Sequence, residues 1–355
     1  MIILGFFMQI RSPFISVTAG LAILAASGLT QVSSAEGPYR VLRTAKVGGD
    51  GGFDYVYADS DARGLYIARS GSSPRLSVFN LDTLEPKGEI PMTAARGAAV
   101  DSNSHHGFAS SKPAAMWDTN SLALIKTIPV DGRPDGILAD SFNHRIYIFS
   151  HSAPNATVLD AADGKVLGAI DLGGAPEQAV TDGKDRIYVD IEDKDSVAVI
   201  DAKSMKLTAT YKLNGKGKAN AGLAIDTEHH VLFVACREPQ VMVMLDANDG
   251  KYLAELPIGQ GCDGAVFNPK TRECFSSQGD GILTVIKETS PVTFELEQSV
   301  KTMPSAKTLT LDDKTGKIFL IAAEYEPPTP GQQPHGRFKR GPMVAGSFSI
   351  LVVGK

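Results

Sequence analysis

The sequence has little of what builds the common compact functional sites. Its 355 residues include three cysteines and one tryptophan. No cysteine–histidine cluster, no glycine-rich phosphate loop and no HExxH motif occurs in it. These absences argue against a zinc finger, a phosphate-loop nucleotide site and a zincin-type protease. No short motif assigns a reaction, so function has to be inferred from the fold and from the charged residues that it brings together.

The sequence also lacks an excess of positive charge. It carries 35 basic and 40 acidic side chains. The first 35 residues contain one arginine and no acid, so the remainder holds 34 basic and 40 acidic side chains, a net charge of −6. Proteins that bind nucleic acids neutralise phosphates with basic surfaces. A nucleic-acid partner is therefore not expected, and the small basic group Arg337, Lys339 and Arg340 does not change this.

Apolar runs of membrane type are confined to the first 35 residues. They are Ile2 to Phe7 and Phe14 to Leu29, with Arg11 as the only charge before Glu36. The second run is short for a spanning helix, and small residues precede Ala35 as a signal peptidase requires. We predict a signal peptide over residues 1–35, a periplasmic or secreted protein, and no stable membrane span after cleavage. An uncleaved membrane anchor is the alternative.

Residues 173–213 hold one complete structural unit. Four short β-rich runs are separated by polar turn segments, which predicts a four-stranded meander of about forty residues. A repeat of this length with four strands is typical of a β-propeller blade. The predicted strands are Glu177 to Thr181, Arg186 to Ile191, Val197 to Asp201 and Leu207 to Leu213.

The same unit recurs along the chain. A polar marker residue ends the first strand of each unit, and consecutive markers are 39 to 44 residues apart. The markers are Asp59, Asp101, Asp140, Asp182, Asp226, Asn268 and Asp312. We therefore predict an all-β fold over residues 36–355, a seven-bladed β-propeller of four-stranded antiparallel blades in a single domain, and we expect a monomer.

The last unit contains only three strands of its own. We predict that the run Tyr39 to Val47 supplies the fourth, so that the N-terminal strand joins the last blade and closes the ring. Such closure removes an exposed sheet edge.

Two consecutive strands carry a family resemblance. Ile187-Tyr188-Val189 followed by Val197-Ala198-Val199-Ile200-Asp201 resembles the YVTN β-propeller repeat, and residues 36–355 resemble the secreted YncE-like proteins. The resemblance implies the propeller fold and export. It implies no single activity, because lactonases and quinone-dependent dehydrogenases share the fold. Trp117 aligns with core positions of strand three and does not match the periodic tryptophan docking motifs of quinoprotein dehydrogenases.

Charged residues recur where a propeller concentrates its function. The loop that leads into strand one and the loop between strands two and three lie on the same face, around the mouth of the central channel. The leading loops place there Asp54, Arg96, Asp135, Glu177, Asp263 and Lys307. The second set of loops adds Arg69, His151, Glu192, Arg237 and Glu324. A rim of mixed charge is able to bind a small polar ligand, a protein partner or a divalent cation. The alternative is that these charges only keep the channel mouth hydrated and bind no ligand.

The sequence leaves the function open among three classes. The leading hypothesis is an exported binding or scaffold module that uses the channel-mouth face. The alternative is a lactonase-type, metal-assisted hydrolase in which rim acids hold a divalent cation or activate water. In that case His151 with Asp135 or Glu192 is a candidate proton-transfer pair. A redox-associated propeller is the third class.

Three further features carry expectations. Cys236 and Cys262 both fall towards the channel-mouth face and are a possible disulfide pair, whereas Cys274 is expected to be a buried free thiol. The segment 323–347 is much longer than the equivalent loops and is either a lid or docking loop or a passive decoration. The turns on the opposite face contain His105, His106, His144, His229 and His230, which we interpret as turn residues without a metal site.

Overall fold

The computed structural model describes residues 1–2, 37–152, 155–328 and 340–355. The predicted signal peptide falls almost entirely on residues outside this part of the chain and stays a prediction. All described strands belong to one compact unit, Ser34–Lys355. They form seven antiparallel sheets of four strands each, which confirms the predicted seven-bladed β-propeller. No helix among the described residues is long and apolar enough to cross a bilayer.

The first strand of the chain is β1 (Arg40–Lys46). Blade one is β2 (Phe53–Asp59), β3 (Gly64–Arg69), β4 (Arg75–Asn80), β5 (Pro86–Pro91). Blade two is β6 (Ala98–Asp101), β7 (His106–Ala109), β8 (Ala114–Asp118), β9 (Leu124–Ile128). Blade three is β10 (Pro134–Asp140), β11 (Arg145–Ser150), β12 (Asn155–Asp160), β13 (Val166–Asp171). Blade four is β14 (Pro176–Thr181), β15 (Arg186–Ile191), β16 (Ser196–Asp201), β17 (Lys206–Lys212), with one turn of 3-10 helix, Glu192–Lys194, between its second and third strands.

The remaining blades repeat the pattern. Blade five is β18 (Lys218–Asp226), β19 (Val231–Glu238), β20 (Val241–Asp246), β21 (Tyr252–Pro257). Blade six is β22 (Cys262–Asn268), β23 (Glu273–Gln278), β24 (Ile282–Ser290), β25 (Thr293–Lys301). Blade seven is β26 (Thr308–Asp312), β27 (Lys317–Ala322), β28 (Ser349–Gly354), completed by β1.

The hydrophobic core lies between neighbouring blades. The middle strands are sandwiched by two other sheets, so β3 and β23 are buried at every residue, whereas the outermost β17 is mostly exposed. Seven apolar clusters result, one at each blade junction. Trp117 is fully buried in the cluster between blades one and two, as predicted. Each large apolar side chain buried in this way contributes about 1.5–3 kcal/mol.

Ring closure follows the prediction. β1 pairs antiparallel with β28, from Arg40 opposite Gly354 to Lys46 opposite Ser349. Just before β1, the Tyr39 N–H donates to Gln298 Oε1 (3.0 Å) and Gln298 Nε2 donates to the Tyr39 carbonyl (2.7 Å). This clamp fixes the start of the closing strand against blade six.

The recurring marker acids are turn formers. Asp59 Oδ1 accepts the N–H groups of Asp61 and Ala62 at 3.0 and 2.9 Å, and Asp226 Oδ1 accepts the N–H of Glu228 at 2.9 Å. A short side-chain acceptor that satisfies the following backbone donors specifies a tight turn. The marker spacing therefore reports strand ends on the face opposite the channel mouth.

Candidate functional site

Nine of the eleven predicted site residues converge at one end of the central channel. We call them the mouth network: Asp54, Arg96, Asp135, His151, Glu177, Glu192, Arg237, Asp263 and Lys307. Each of the seven blades contributes at least one member. Six of the members lie five residues before a marker, at or just before the start of an innermost strand, whereas His151, Glu192 and Arg237 lie at the ends of second strands or directly after them.

One half of the mouth network is a chain of ion pairs. Arg96 Nη1 lies 2.8 Å from Asp54 Oδ2, and its Nε lies 3.9 Å from Asp135 Oδ1. Lys307 Nζ is 3.9 Å from Asp54 Oδ1 and also forms an ion pair with Asp263. The two cations thus bridge acids of neighbouring blades.

Arg237 anchors the other half. Its guanidinium pairs with Glu192 on one side and with Asp263 on the other, and its Nε donates to the Cys262 carbonyl at 2.9 Å. Burial alone would raise the pKa of Asp263, but Lys307 and Arg237 outweigh it and lower that pKa. Asp263 is therefore the ionised centre of this half.

Asp135, His151 and Glu177 form a group that we call the acidic sector, and Asp135 links it to Arg96 of the first half. His151 Nε2 lies 3.7 Å from Asp135 Oδ2 and 3.6 Å from Glu177 Oε1. The Nε2 atom is buried and has no hydrogen-bond partner in the described structure. The three ligand atoms lie within 4.8 Å of one another, a spacing that a metal ion or a shared proton would bridge. His151 thus partners Asp135 and Glu177; Glu192, its other proposed partner, pairs with Arg237.

Electrostatics separate the acidic sector from the ion pairs. Burial raises the pKa of Asp135 to about 6, helped by Asp54 and opposed by His151 and Arg96. Burial, with Asp263, Asp135 and Glu192, raises the pKa of Glu177 well above its usual value. The mouth network holds five carboxyl groups and three permanent cations, and the excess of carboxyl groups over cations lies in the acidic sector. This sector is suited to a cation, an ammonium or hydroxyl donor, or a transferable proton.

Arg69 and Glu324 lie away from the mouth network. Arg69 is buried, stacks on the Phe348 ring at 3.7 Å and donates to the Asp50 carbonyl at 2.7 Å. Burial lowers the pKa of its guanidinium to about 10. Glu324 is exposed and pairs with Lys46 at 3.0 Å. The structure does not group them with the nine: Arg69 ends β3 and packs on Phe348 of blade seven, and Glu324 pairs with Lys46 of β1.

Sequence reasoning missed two residues whose side chains hydrogen-bond to other blades. The Tyr55 hydroxyl donates to Glu177 Oε2 at 3.2 Å, which joins blade one to blade four. Gln178 Oε1 accepts the N–H groups of Leu223 and Ala265 at 3.0 and 2.9 Å. Tyr55 and Gln178 each follow a predicted rim residue, so strand alternation alone would have pointed them away from it.

A cavity of about 460 Å³ lies along the channel. Tyr55, Gly136 and Gln178 line it near the mouth network, whereas Asp101, Ser141 and Asp313 line it towards the opposite face. The volume is within the range of small-molecule sites.

The cysteines are free thiols in the structure. Cys236, Cys262 and Cys274 are all buried, and the possible Cys236–Cys262 bond is not formed. Burial raises the pKa of Cys236, with a contribution from Asp190 and Cys262, and raises the pKa of Cys262 to about 12. Such thiols are protonated and unreactive.

The long loop of blade seven is described at its two ends, and residues 329–339 lie outside the described part. Its stem is held by a bridge between Tyr325 and Met343 and by the Arg340 guanidinium, 5.0 Å from the Tyr325 ring centre. Arg340 also donates to the Gly279 carbonyl of blade six at 3.1 Å. The stem therefore contacts the adjacent blade six, and its role as a lid stays a prediction.

Comparisons with known proteins bear on the fold. No family model and no curated protein matches this sequence. The solved structure of the RRP9 WD40 repeats is similar at a TM-score of 0.71 and 12% identity, over 90% of this chain and 99% of that one. The structure of U3-55K is similar at a TM-score of 0.70 and 12% identity, over 88% of this chain and 98% of that one. A chain of the mitotic checkpoint complex is similar at a TM-score of 0.67 and 12% identity, over 88% of this chain and 96% of that one. The chain is thus a β-propeller with the fold of WD40-repeat proteins, and at this identity the likeness shows the fold alone.

Proposed function

We propose that this chain is an exported β-propeller that acts as a binding module through the mouth network. The WD40-like fold supports a role as a binding or scaffold module. The observation that supports the proposal is the acidic sector, where three buried or half-buried groups face one another and His151 Nε2 has no hydrogen-bond partner. A buried polar atom without a hydrogen-bond partner, among titratable groups that converge at a channel mouth, is a usual mark of a ligand site.

The same sector defines the class of ligand. Asp135, Glu177 and His151 offer acceptors to an ammonium or hydroxyl group, and Arg96 and Lys307 stand beside them for an anionic group. A small polar molecule that carries both kinds of group fits this layout better than an apolar one. An extended protein partner that contacts the channel-mouth face is the other proposed occupant. We propose a monomer, with no nucleic-acid partner.

Family and location belong to the same proposal. The strand motifs Ile187-Tyr188-Val189 and Val197–Asp201 support membership of the YVTN-repeat family, and the apolar first 35 residues support export to the periplasm or the medium. N-terminal sequencing of the protein recovered from outside the cytoplasm tests this. A start at Glu36 is expected, and an intact N terminus on cytoplasmic protein would contradict it.

A thermal-shift panel tests binding. The purified protein is mixed with spermidine, glucosamine, gluconate, galacturonate and calcium in turn, because a ligand that binds only the native state raises the melting temperature. At least one probe is expected to stabilise the wild type and the exposed control Asp185→Asn, and to leave the double variant Asp135→Asn with Glu177→Gln unshifted. A shift that survives the double variant, or no shift with any probe, counts against the proposal.

A hydrolase is the second candidate, and a specific observation favours it. Asp135 has a pKa of about 6, in the range of a general base, and stands 3.7 Å from His151. With a divalent cation bound, these residues would activate water for attack on a lactone or ester. Turnover of simple lactones that Asp135→Asn abolishes and Asp185→Asn spares would establish this function over simple binding.

A further inference from the structure

Asp226, His229 and Glu288 form a second cluster, at the opposite end of the blades from the mouth network. Asp226 ends β18, His229 follows in the turn, and Glu288 lies near the end of β24 in the next blade. His229 Nδ1 is 2.6 Å from Asp226 Oδ2 and 2.9 Å from Glu288 Oε1. One imidazole nitrogen and two carboxylate oxygens from two blades thus converge on one point.

The Glu288 carboxylate requires an explanation. Its side chain is 0% exposed, and its close polar neighbours in the described structure are His229 and the Asp226 carboxyl, with which it shares a side-chain hydrogen bond. Two buried carboxyl groups beside one imidazole are unfavourable unless a proton or a cation lies between them. Burial and the neighbouring Asp226 raise the pKa of Glu288 to about 7, opposed by His229 and Arg272. Arg272 donates to the Thr289 carbonyl at 3.5 Å and does not hydrogen-bond these oxygens.

Other blade junctions show what this one lacks. Asp101 meets His144 Nδ1 of the next blade at 2.9 Å, and Asp140 meets the Thr181 hydroxyl of the next blade at 2.9 Å. At both junctions the next blade offers a donor to the marker acid. At Asp226 the next blade offers a second acid instead of a donor, so one imidazole, that of His229, serves two carboxyl groups at this junction.

A divalent cation would bind both carboxyl groups and the imidazole at once. Zinc accepts histidine nitrogen and carboxylate oxygen at about 2.0–2.2 Å, and three protein ligands leave one position for water. The three ligand atoms lie within 4.8 Å of one another, and His229, with 20% of its side chain exposed, gives access from solvent. We propose that Asp226, His229 and Glu288 bind a zinc ion that clips blade five to blade six.

Zinc titration of the full-length protein, stripped with chelator, tests the proposal. We expect the wild type to bind zinc below millimolar concentration and to melt at a higher temperature with zinc than with EDTA. His229→Ala and Glu288→Gln are each expected to lose one zinc equivalent, or to bind it at least about tenfold more weakly. His230→Ala, the exposed neighbour, is the matched control and keeps the site.

His151→Ala separates this site from the mouth network. If His229→Ala and Glu288→Gln still bind one zinc equivalent and His151→Ala does not, zinc binds at the mouth network and the proposal fails. It also fails if the wild type saturates only at millimolar zinc. Should Glu288→Gln not fold, as judged by circular dichroism, the variant of the partly exposed turn residue, His229→Ala, decides alone. Ligand binding at the mouth network is measured in a separate experiment, so the proposed function does not depend on the outcome of the zinc titration.

Discussion

Tyr55 of blade one donates its hydroxyl to Glu177 of blade four across the channel, with the two oxygens 3.2 Å apart. The pair lies 122 residues apart in the chain. It ties the acidic sector to the wall of the channel cavity, since Tyr55 also lines that cavity. The candidate site is therefore built on the ring as a whole and not on one blade.

Removing this hydroxyl tests how much the crossing contributes. Tyr55→Phe leaves a buried Glu177 oxygen without its donor, so we expect the free energy of unfolding to fall by about 1–2 kcal/mol. Urea denaturation measures it. Tyr252→Phe, an exposed tyrosine, is the control and is expected to change stability by less than about 0.5 kcal/mol. Equal effects in both variants would show that the crossing bond contributes nothing.

The ion pair between Lys307 and Asp263 is expected to matter for stability. Lys307→Met leaves the largely buried Asp263 with one cation, at a cost of about 3 kcal/mol near neutral pH. Because the folded-state pKa of Asp263 is lowered, its contribution is present above its unfolded pKa and is lost as the pH falls through the folded one. The deficit should therefore shrink below about pH 4.

Lys314→Met is the matched control for that variant. Lys314 pairs with Asp61 at 2.9 Å, but both side chains are more than half exposed. Such surface pairs contribute about 0–1 kcal/mol. A deficit in Lys307→Met no larger than that of Lys314→Met, or one independent of pH, would contradict the role of the buried pair.

Asp135 should give the opposite pH dependence. Its pKa is raised to about 6 in the folded protein, so between about pH 4 and pH 6 the native state binds more protons than the unfolded one. The stability of the wild type relative to Asp135→Asn should therefore fall as the pH rises through this window, by up to about 3 kcal/mol. Denaturation at half-unit pH steps measures it, with Asp185→Asn as the flat control. A difference that stays constant or rises would refute the assignment.

Ring closure offers a prediction outside the site. Gln298→Ala removes both hydrogen bonds that hold Tyr39, and we expect a loss of about 1–3 kcal/mol in urea denaturation. Glu295→Ala, an exposed position on the same strand, should leave stability unchanged. If the two variants behave alike, the clamp does not contribute to closing the ring.

The fold was predictable because its signals are local and repeated. The marker acids specify turns, and strand alternation gave the boundaries of blade four to within one residue, from β14 to β17. Six members of the mouth network followed from one rule of position, five residues before a marker, and His151, Glu192 and Arg237 followed from a second rule, the loop between strands two and three. Arg69 broke such a rule because its side chain turns under Phe348, a contact set by the packing of blade one against blade seven.

The second cluster shows where sequence reasoning stops. His229 was interpreted as a turn residue, and it is one; its contact with Glu288 depends on how two blades pack, 59 residues apart. Tyr55 and Gln178 were overlooked for the same reason, since their partners lie in other blades. Distances between repeats are set by the ring, and no pattern within a single repeat carries them.

The central claim, that the mouth network is a ligand site, is tested most directly by a crystal structure of the protein purified without chelator and soaked with the probe that gives the largest thermal shift. The account predicts density for that probe in contact with at least two of Asp135, His151 and Glu177. Density for the probe elsewhere, with only water among these three residues, would contradict it.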